Sequence, residues 1–352
     1  MMSVFGVIIF ILMNAAVIIS ACKAERVFFG FSRSEDILIA VAILCLAQVV
    51  ATGLLLGMTG GLSLAGLFLV NAGVCLFLSL LPGVPACGQS SPSGAAASFL
   101  DFLTRDKALR FAFAVLAGFG AAKLCMNLVN PPFGWDSLNY HFTFPVEWLK
   151  SGWFDTPITV FDDPSPSYYP INGSLLFLWL MAPLKNVFLA DLAQFAFFAL
   201  SLACVYSIAK KTGLQPRSAF LAAALFAAVP NFFKQLEIAY VDIMVAALLL
   251  ASVHFLLLLK EEFSQKNILG YGLALGLAIG TKTLALAYAA VLAVPFLIIL
   301  RKEKGRHRLT AVFWACAMLV LFGGFMYIRN FLEAQNPFYP LNVSIAGRTV
   351  FQ

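Results

Sequence analysis

The sequence predicts an all-α polytopic membrane protein with about ten spanning helices of roughly 20 residues each. Three observations carry that expectation. Hydrophobic residues make up 61% of the 352 and charged residues only 11%, against roughly 25% charged in an ordinary soluble domain. Apolar windows of spanning length recur along the chain, and most Lys and Arg residues gather in alternate connections between them. A net charge of +6 with no basic block outside Arg301–Arg308 excludes nucleic acid as a partner, and the high hydrophobicity excludes disorder.

In chain order the windows lie at 4–22, 37–57, 61–82, 108–128, 190–209, 217–233, 240–259, 267–283, 285–300 and 309–328. The first ends in Ile19-Ser20-Ala21-Cys22, the finish of a lipoprotein processing box. No Lys or Arg precedes it, so it reads as a retained spanning helix. Five alternate connections hold the basic groups: Lys23, Arg26 and Arg33; Arg105, Lys107 and Arg110; Lys210, Lys211 and Arg217; Lys260 and Lys266; and Arg301 to Arg308. By the positive-inside rule these are cytoplasmic, and the N- and C-termini are outside. Ile171–Ala182 runs only about a dozen residues between Pro170 and Pro183, the length of a re-entrant or interfacial helix. Counting it as a span would invert every later connection, so 128–190 reads as one long outer loop. A Gly/Pro/Ser/Ala-rich linker, 83–104, divides an N-terminal three-helix unit, 1–82, from a larger unit, 105–352. The cysteines, Cys87 in the linker apart, lie within or at the ends of apolar runs and form no metal-binding spacing.

The outer loop carries the chemistry. It opens Asn130-Pro-Pro-Phe-Gly-Trp-Asp136-Ser-Leu-Asn-Tyr140-His141, continues through Glu147-Trp148 to Gly152-Trp153, and returns to the membrane at Tyr168-Tyr169-Pro170. Leu138, Phe142, Val146 and Leu149 fall at helical spacing. Trp135, Tyr140, Trp148 and Trp153 are residue types that settle at a bilayer interface. Residues 137–151 therefore read as a helix on the outer leaflet, kinked at Pro145. Asp136 sits at its start, where a carboxylate serves as an N-cap worth about 1 kcal/mol; the same position also suits a catalytic base. Lys234, Glu237, Asp242, Lys282 and Arg329 fall on the same outer side, and charges near membrane depth are functional candidates unless they snorkel or pair with one another. Acids that take a proton beside cations that hold an anionic leaving group are what transfer from a phosphate-linked donor requires. A divalent metal at Asp136 with Glu237 or Asp242 is a further expectation. Asp155, Asp162 and Asp163 occupy ordinary turn sequences, and His141 reads either as an interfacial residue or as a substrate ligand.

Together the loop Asp136, the Tyr140-His141 stretch, Trp148, Gly152-Trp153 and Tyr168-Tyr169-Pro170 resemble the GT-C superfamily of polyprenyl-phosphate-sugar-dependent glycosyltransferases, in particular the protein O-mannosyltransferase and aminoarabinose transferase branch. The resemblance covers about 105–345. It implies a seven-helix module with Asp136 as general base, Asp242 as the acid opening the fourth module helix, and Lys282 of Gly280-Thr-Lys-Thr near the donor phosphate. It matches Arg329-Asn330 and Asn336-Pro-Phe-Tyr-Pro340 to the segment after the seventh helix. The chain departs from the family in carrying Asp136-Ser137 where Asp-Glu is common. The Arg usual before the Asp242-type acid is replaced by Lys234 or by nothing, and against the family's C-terminal helices or soluble domain an end at Gln352 leads to the expectation of a truncated form.

The resemblance implies an inverting glycosyltransferase of the cell envelope, in the bacterial inner membrane. It would move a sugar from a polyprenyl-phosphate donor to a lipid, glycan or protein acceptor on the periplasmic or lumenal face, among membrane lipids and without a certain cofactor. Tyr140, His141, Lys234, Glu237, Asp242, Lys282 and Arg329 are its expected substrate-binding residues. Two alternatives stand beside it. A lipid-linked-sugar flippase would place its charges at the bilayer midplane, and a non-catalytic or truncated relative would keep the fold without turnover.

Overall fold

The computed structural model describes residues 4–82, 101–104, 106–159, 161–345 and 348–351. Cys87, Arg105 and most of the expected 83–104 linker lie outside the described residues.

The described chain is overwhelmingly helical. Helix α1 (Val4–Ala24) runs into a π-turn at Glu25–Phe29, then come α2 (Ser34–Thr59) and α3 (Leu64–Leu80). Gly60, at φ 76°, closes α2 in the left-handed conformation that glycine adopts without strain. Ser63 then caps α3, its hydroxyl accepting from the Gly66 N–H at 3.1 Å. Helix α4 (Lys107–Val129) starts on Asp106, whose carboxylate accepts from the Ala108 N–H at 2.7 Å. The loop helix α5 (Thr143–Ser151) and the short α6 (Asn172–Leu184) follow. The rest is α7 (Ala193–Lys211), α8 (Pro216–Ala227), α9 (Pro230–Lys234), α10 (Asp242–Glu261), α11 (Gln265–Ile279), α12 (Ala285–Leu300), α13 (Gly305–Gly323) and α14 (Phe325–Ala334), closed by a small hairpin of β1 (Val343–Ile345) and β2 (Arg348–Phe351).

Each of the ten windows is helical. Among the described residues five helices are long and apolar enough to cross a membrane as they stand, and counting each of two bent pairs as one span brings the number to seven. The bends have local causes. Pro230 follows a residue held extended, Val229 at ψ 119°, and α8 turns by 66° into the next segment because the residue before proline is driven out of the helical region. Gly324 separates α13 from α14 at 69°. The remaining windows, 61–82, 267–283 and 285–300, form helices of 17, 15 and 16 residues, about 23–26 Å long at 1.5 Å per residue. The chain is an integral membrane protein, and its many exposed Leu, Ile, Val and Phe side chains are what a lipid-facing surface requires.

Ion pairs tie four of the five basic connections together at one end of the bundle. Arg33 meets Glu261 at 3.0 Å, Lys210 meets Glu35 at 2.6 Å, Lys211 meets Asp36 at 3.1 Å, and Arg217 binds Asp106. The fifth lies at the same end because α11 and α13 run parallel. A Cβ on Gly272 would touch Ala315, one on Gly276 would touch Met318, and one on Gly280 would touch Phe322. Glycine at these positions lets the two backbones close on each other. The N-terminal helices are not set apart: α2 packs on α6, α7 and α11, and one apolar cluster runs from Met13 to Met326.

One reading of the outer loop needs correction. The break in 137–151 falls at Phe142, between a π-turn at Ser137–His141 and α5. Pro145 lies in the first turn of α5, where its missing N–H costs nothing. One face of the segment packs on the bundle, with Phe144 and Trp148 buried. Helix α6 is likewise buried along almost its whole length. Both its ends lie at the outer-loop end of the bundle, Asn172 on Gly280 and Lys185 beside Ser63 and Leu64.

Candidate functional site

At the end opposite the basic connections, five stretches of chain enclose a cavity of about 300 Å³. The outer loop supplies Asp136, Tyr140 and His141, with Phe144 and Trp148 of α5 behind them. The return to the membrane supplies Tyr169, Pro170 and Ser174. Asp242 opens α10, Thr281 to Leu284 form the turn between α11 and α12, and Phe338 to Leu341 close the top.

Asp136 does not cap a helix. Its backbone is already helical (φ −65°, ψ −35°) and its side chain accepts no capping bond. Tyr140 follows one turn on, and both side chains line the same cavity. Burial first, then the Asp136 charge, raises the Tyr140 pKa and keeps its hydroxyl protonated. The carboxylate is anchored from below. Phe133 forms a parallel bridge with Ile238, and the Tyr240 hydroxyl takes the Trp135 N–H at 3.1 Å. Between them Gly134 sits at φ 108°, where an added Cβ would lie 2.8 Å from Ile238. Only glycine meets both the dihedral and the contact. The lead-ins to Asp136 and Asp242 are thereby joined.

Asp242 accepts from Lys282 Nζ at 2.6 Å. Both side chains stay about two-fifths exposed, 42% and 39%, so the pair adds only about 0.2–1 kcal/mol to stability. Its value is positional: an ammonium held at the cavity with donors to spare. The Thr281–Leu284 turn is held in place by Gly280 and Asn172. Asn172 donates from Nδ2 to the Phe322 carbonyl at 2.7 Å and from its backbone to Gly280 at 2.9 Å. Its amide is buried. His141 is buried with Nδ1 3.0 Å from the Ser174 hydroxyl. Burial, helped by the Lys282 charge, pushes its pKa down to about 3, so it faces the cavity as a neutral imidazole.

The sequence-predicted charges thus divide. Asp136, Tyr140, His141, Asp242 and Lys282 come together. Glu237 does not line the cavity; it pairs with Lys123 of α4, a residue that no pattern in the sequence singles out. Lys234 follows Phe233, whose ring centroid lies 5.3 Å from Lys123 Nζ, and so belongs to that same side cluster. Arg329 stands behind the cavity wall, donating to the Ser167 carbonyl, with its guanidinium 5.6 Å from the Tyr168 ring. Of the two partners considered for a metal with Asp136, only Asp242 reaches the cavity, and it holds Lys282. No group of three or more His, Cys, Asp or Glu side chains gathers among the described residues. Ser174 escaped sequence reading because nothing in a uniformly apolar stretch marks which face meets His141.

Residues 173–327, somewhat under half of the chain, match the family described as dolichyl-phosphate-mannose-protein mannosyltransferase. The matched stretch holds Ser174, Asp242 and Lys282, while Asp136, Tyr140 and His141 precede it. A match of this kind implies a glycosyltransferase of the GT-C type working from a lipid-linked sugar. No curated protein and no solved structure matches the chain.

Proposed function

We propose that the chain transfers a sugar from a polyprenyl-phosphate donor to a hydroxyl acceptor at this cavity, on the periplasmic side of a bacterial inner membrane. The observation that carries the reading is that Asp136 and the Asp242–Lys282 pair line one cavity, opposite the end where the basic connections meet. The Asp136 carboxylate takes the proton of the acceptor hydroxyl as that oxygen attacks the anomeric carbon. The carbon–phosphate-oxygen bond breaks from the opposite face, inverting the configuration, and polyprenyl phosphate leaves with the bonding pair. Lys282 stabilises the charge that develops there, with Thr281 and Thr283 beside it as hydroxyl donors.

His141, held neutral, offers a hydrogen bond to the sugar without competing for the phosphate. Arg329 positions the Ser167–Tyr168 wall and does not contact the phosphate. The cluster of cavity polar groups at one end of the bundle favours an enzyme over a flippase, whose site belongs near the midplane.

The test is release or transfer of radiolabelled sugar from a panel of polyprenyl-phosphate sugars by the reconstituted chain and its Asp136→Asn variant. Asn keeps the shape and loses the base, so turnover should fall by about 10²–10⁴-fold while folding is retained. Undiminished turnover in the variant would remove Asp136 from the role. Activity that survives EDTA and exhaustive dialysis places the chemistry on the side chains alone; activity restored by added Mg²⁺ or Mn²⁺ places a metal at Asp136 and Asp242.

A further inference from the structure

Helix α5 has two working faces. Phe144 and Trp148, one turn apart, line the cavity described above, while Val146, Leu149 and Lys150 line a separate groove of about 750 Å³ on the other side. Leu64 at the start of α3 and Met181 of α6 complete its apolar floor, and Lys185 stands at its edge with Lys150.

Three features make this groove a site for an amphiphile. The first is place: its wall includes Ser63 and Leu64, where the turn between α2 and α3 lies at the outer-loop end of the bundle. The second is charge. Lys150 shares its ammonium with Glu147 at 2.8 Å, and among the described residues Lys185 has no acid within ion-pair distance. The third is the backbone at Lys185, which closes α6 in the left-handed conformation at φ 48°. That position ordinarily belongs to glycine, and a side chain kept in a strained conformation points to a use for that side chain.

We infer that this groove binds an anionic phospholipid of the outer leaflet, its phosphodiester between Lys150 and Lys185 and an acyl chain on the Leu64–Val146–Met181 floor. An apolar floor under a cationic rim at the membrane boundary complements a molecule that is itself apolar below and anionic above. The site is distinct from the transfer cavity and does not depend on the reaction assigned there. It would fasten α5, and with it the loop carrying Asp136, to the bilayer surface.

The experiment is native mass spectrometry of the delipidated full chain in detergent, titrated separately with dioleoyl-phosphatidylglycerol, dioleoyl-phosphatidylcholine and sodium phosphate. The wild type is compared with Lys185→Gly, Lys150→Gln, their combination, and Lys304→Gln at the far end of the bundle. Glycine keeps the left-handed backbone, so lost binding in Lys185→Gly reads as lost charge, and the exposed Lys150→Gln gives the same reading independently. The expected result is retention of phosphatidylglycerol over phosphatidylcholine, an affinity about tenfold weaker (about 1.4 kcal/mol) in the double variant, and no change in Lys304→Gln. Equal retention by the double variant, equal retention of phosphatidylcholine, or full competition by inorganic phosphate would each overturn the proposal.

Discussion

Asp136 is available for chemistry because no helix terminus claims it. From the sequence alone a carboxylate after a Pro-Pro-Phe-Gly turn reads as a cap as readily as a base. The backbone speaks against the cap, since Asp136 is already helical and its side chain accepts no capping bond. His141 shows the opposite limit. Its type and spacing allowed a surface histidine, whereas burial against Ser174 and the pull of Lys282 bring its pKa from the ordinary 6.5 to about 3. That shift has a sign in stability. The unfolded chain takes up a proton near pH 6.5 and the folded chain does not until about pH 3. The contribution is therefore complete above pH 6.5 and is lost as the pH falls toward 3, at up to about 1.4 kcal/mol per pH unit. Thermal unfolding of the detergent-solubilised protein across pH 3–6.5 should steepen this way in the wild type and flatten in His141→Asn.

At the scale of elements, sequence reading succeeded where periodicity and length decide. Windows such as 37–57 and 240–259 became α2 and α10 because their apolar content and end signals agree. It failed where tertiary packing decides: Pro145 attracted a kink that Phe142 took, and the length of α6, which allowed a re-entrant or an interfacial helix, did not show that it is buried. The junction of α6, α11 and α13 is the least forgiving part of the site. A Cβ on Gly280 would stand 2.2 Å from Asn172 Nδ2 and 2.6 Å from the Phe322 carbonyl oxygen, and the backbone oxygen cannot swing aside. Gly280→Ala should destabilise by about 1–3 kcal/mol, read as a lowered thermal midpoint, and should disturb the Thr281–Leu284 turn that carries Lys282. A midpoint equal to wild type would show that the junction relaxes more freely than its contacts imply.

Across the whole molecule, the parity of basic residues was legible in the sequence because charge in connections is a one-dimensional property. Which acid each would meet was not, since Lys211 and Asp36 are far apart in sequence and meet only when α2 lies against α7. Their pair is almost fully enclosed, 3% and 4% exposed, with His254 of α10 3.6 Å from the same carboxylate. Removing one partner of such a pair leaves a buried charge alone, so Asp36→Asn should cost about 3–5 kcal/mol, measured by unfolding in detergent. Asp36→Asn with Lys211→Met should recover most of it, and a double variant as unstable as the single one would mean that the acid serves His254 instead. The bridge between Phe133 and Ile238 has a different kind of consequence. Spanning helices tilt when bilayer thickness changes, and a reaction centre divided between two independent helices would be pulled out of register by that tilt. Here the lead-ins to both carboxylates are laced into one short ribbon, so Asp136 and Asp242 ride together, and the spacing of the two carboxylates is insulated from the thickness of the lipid that surrounds them.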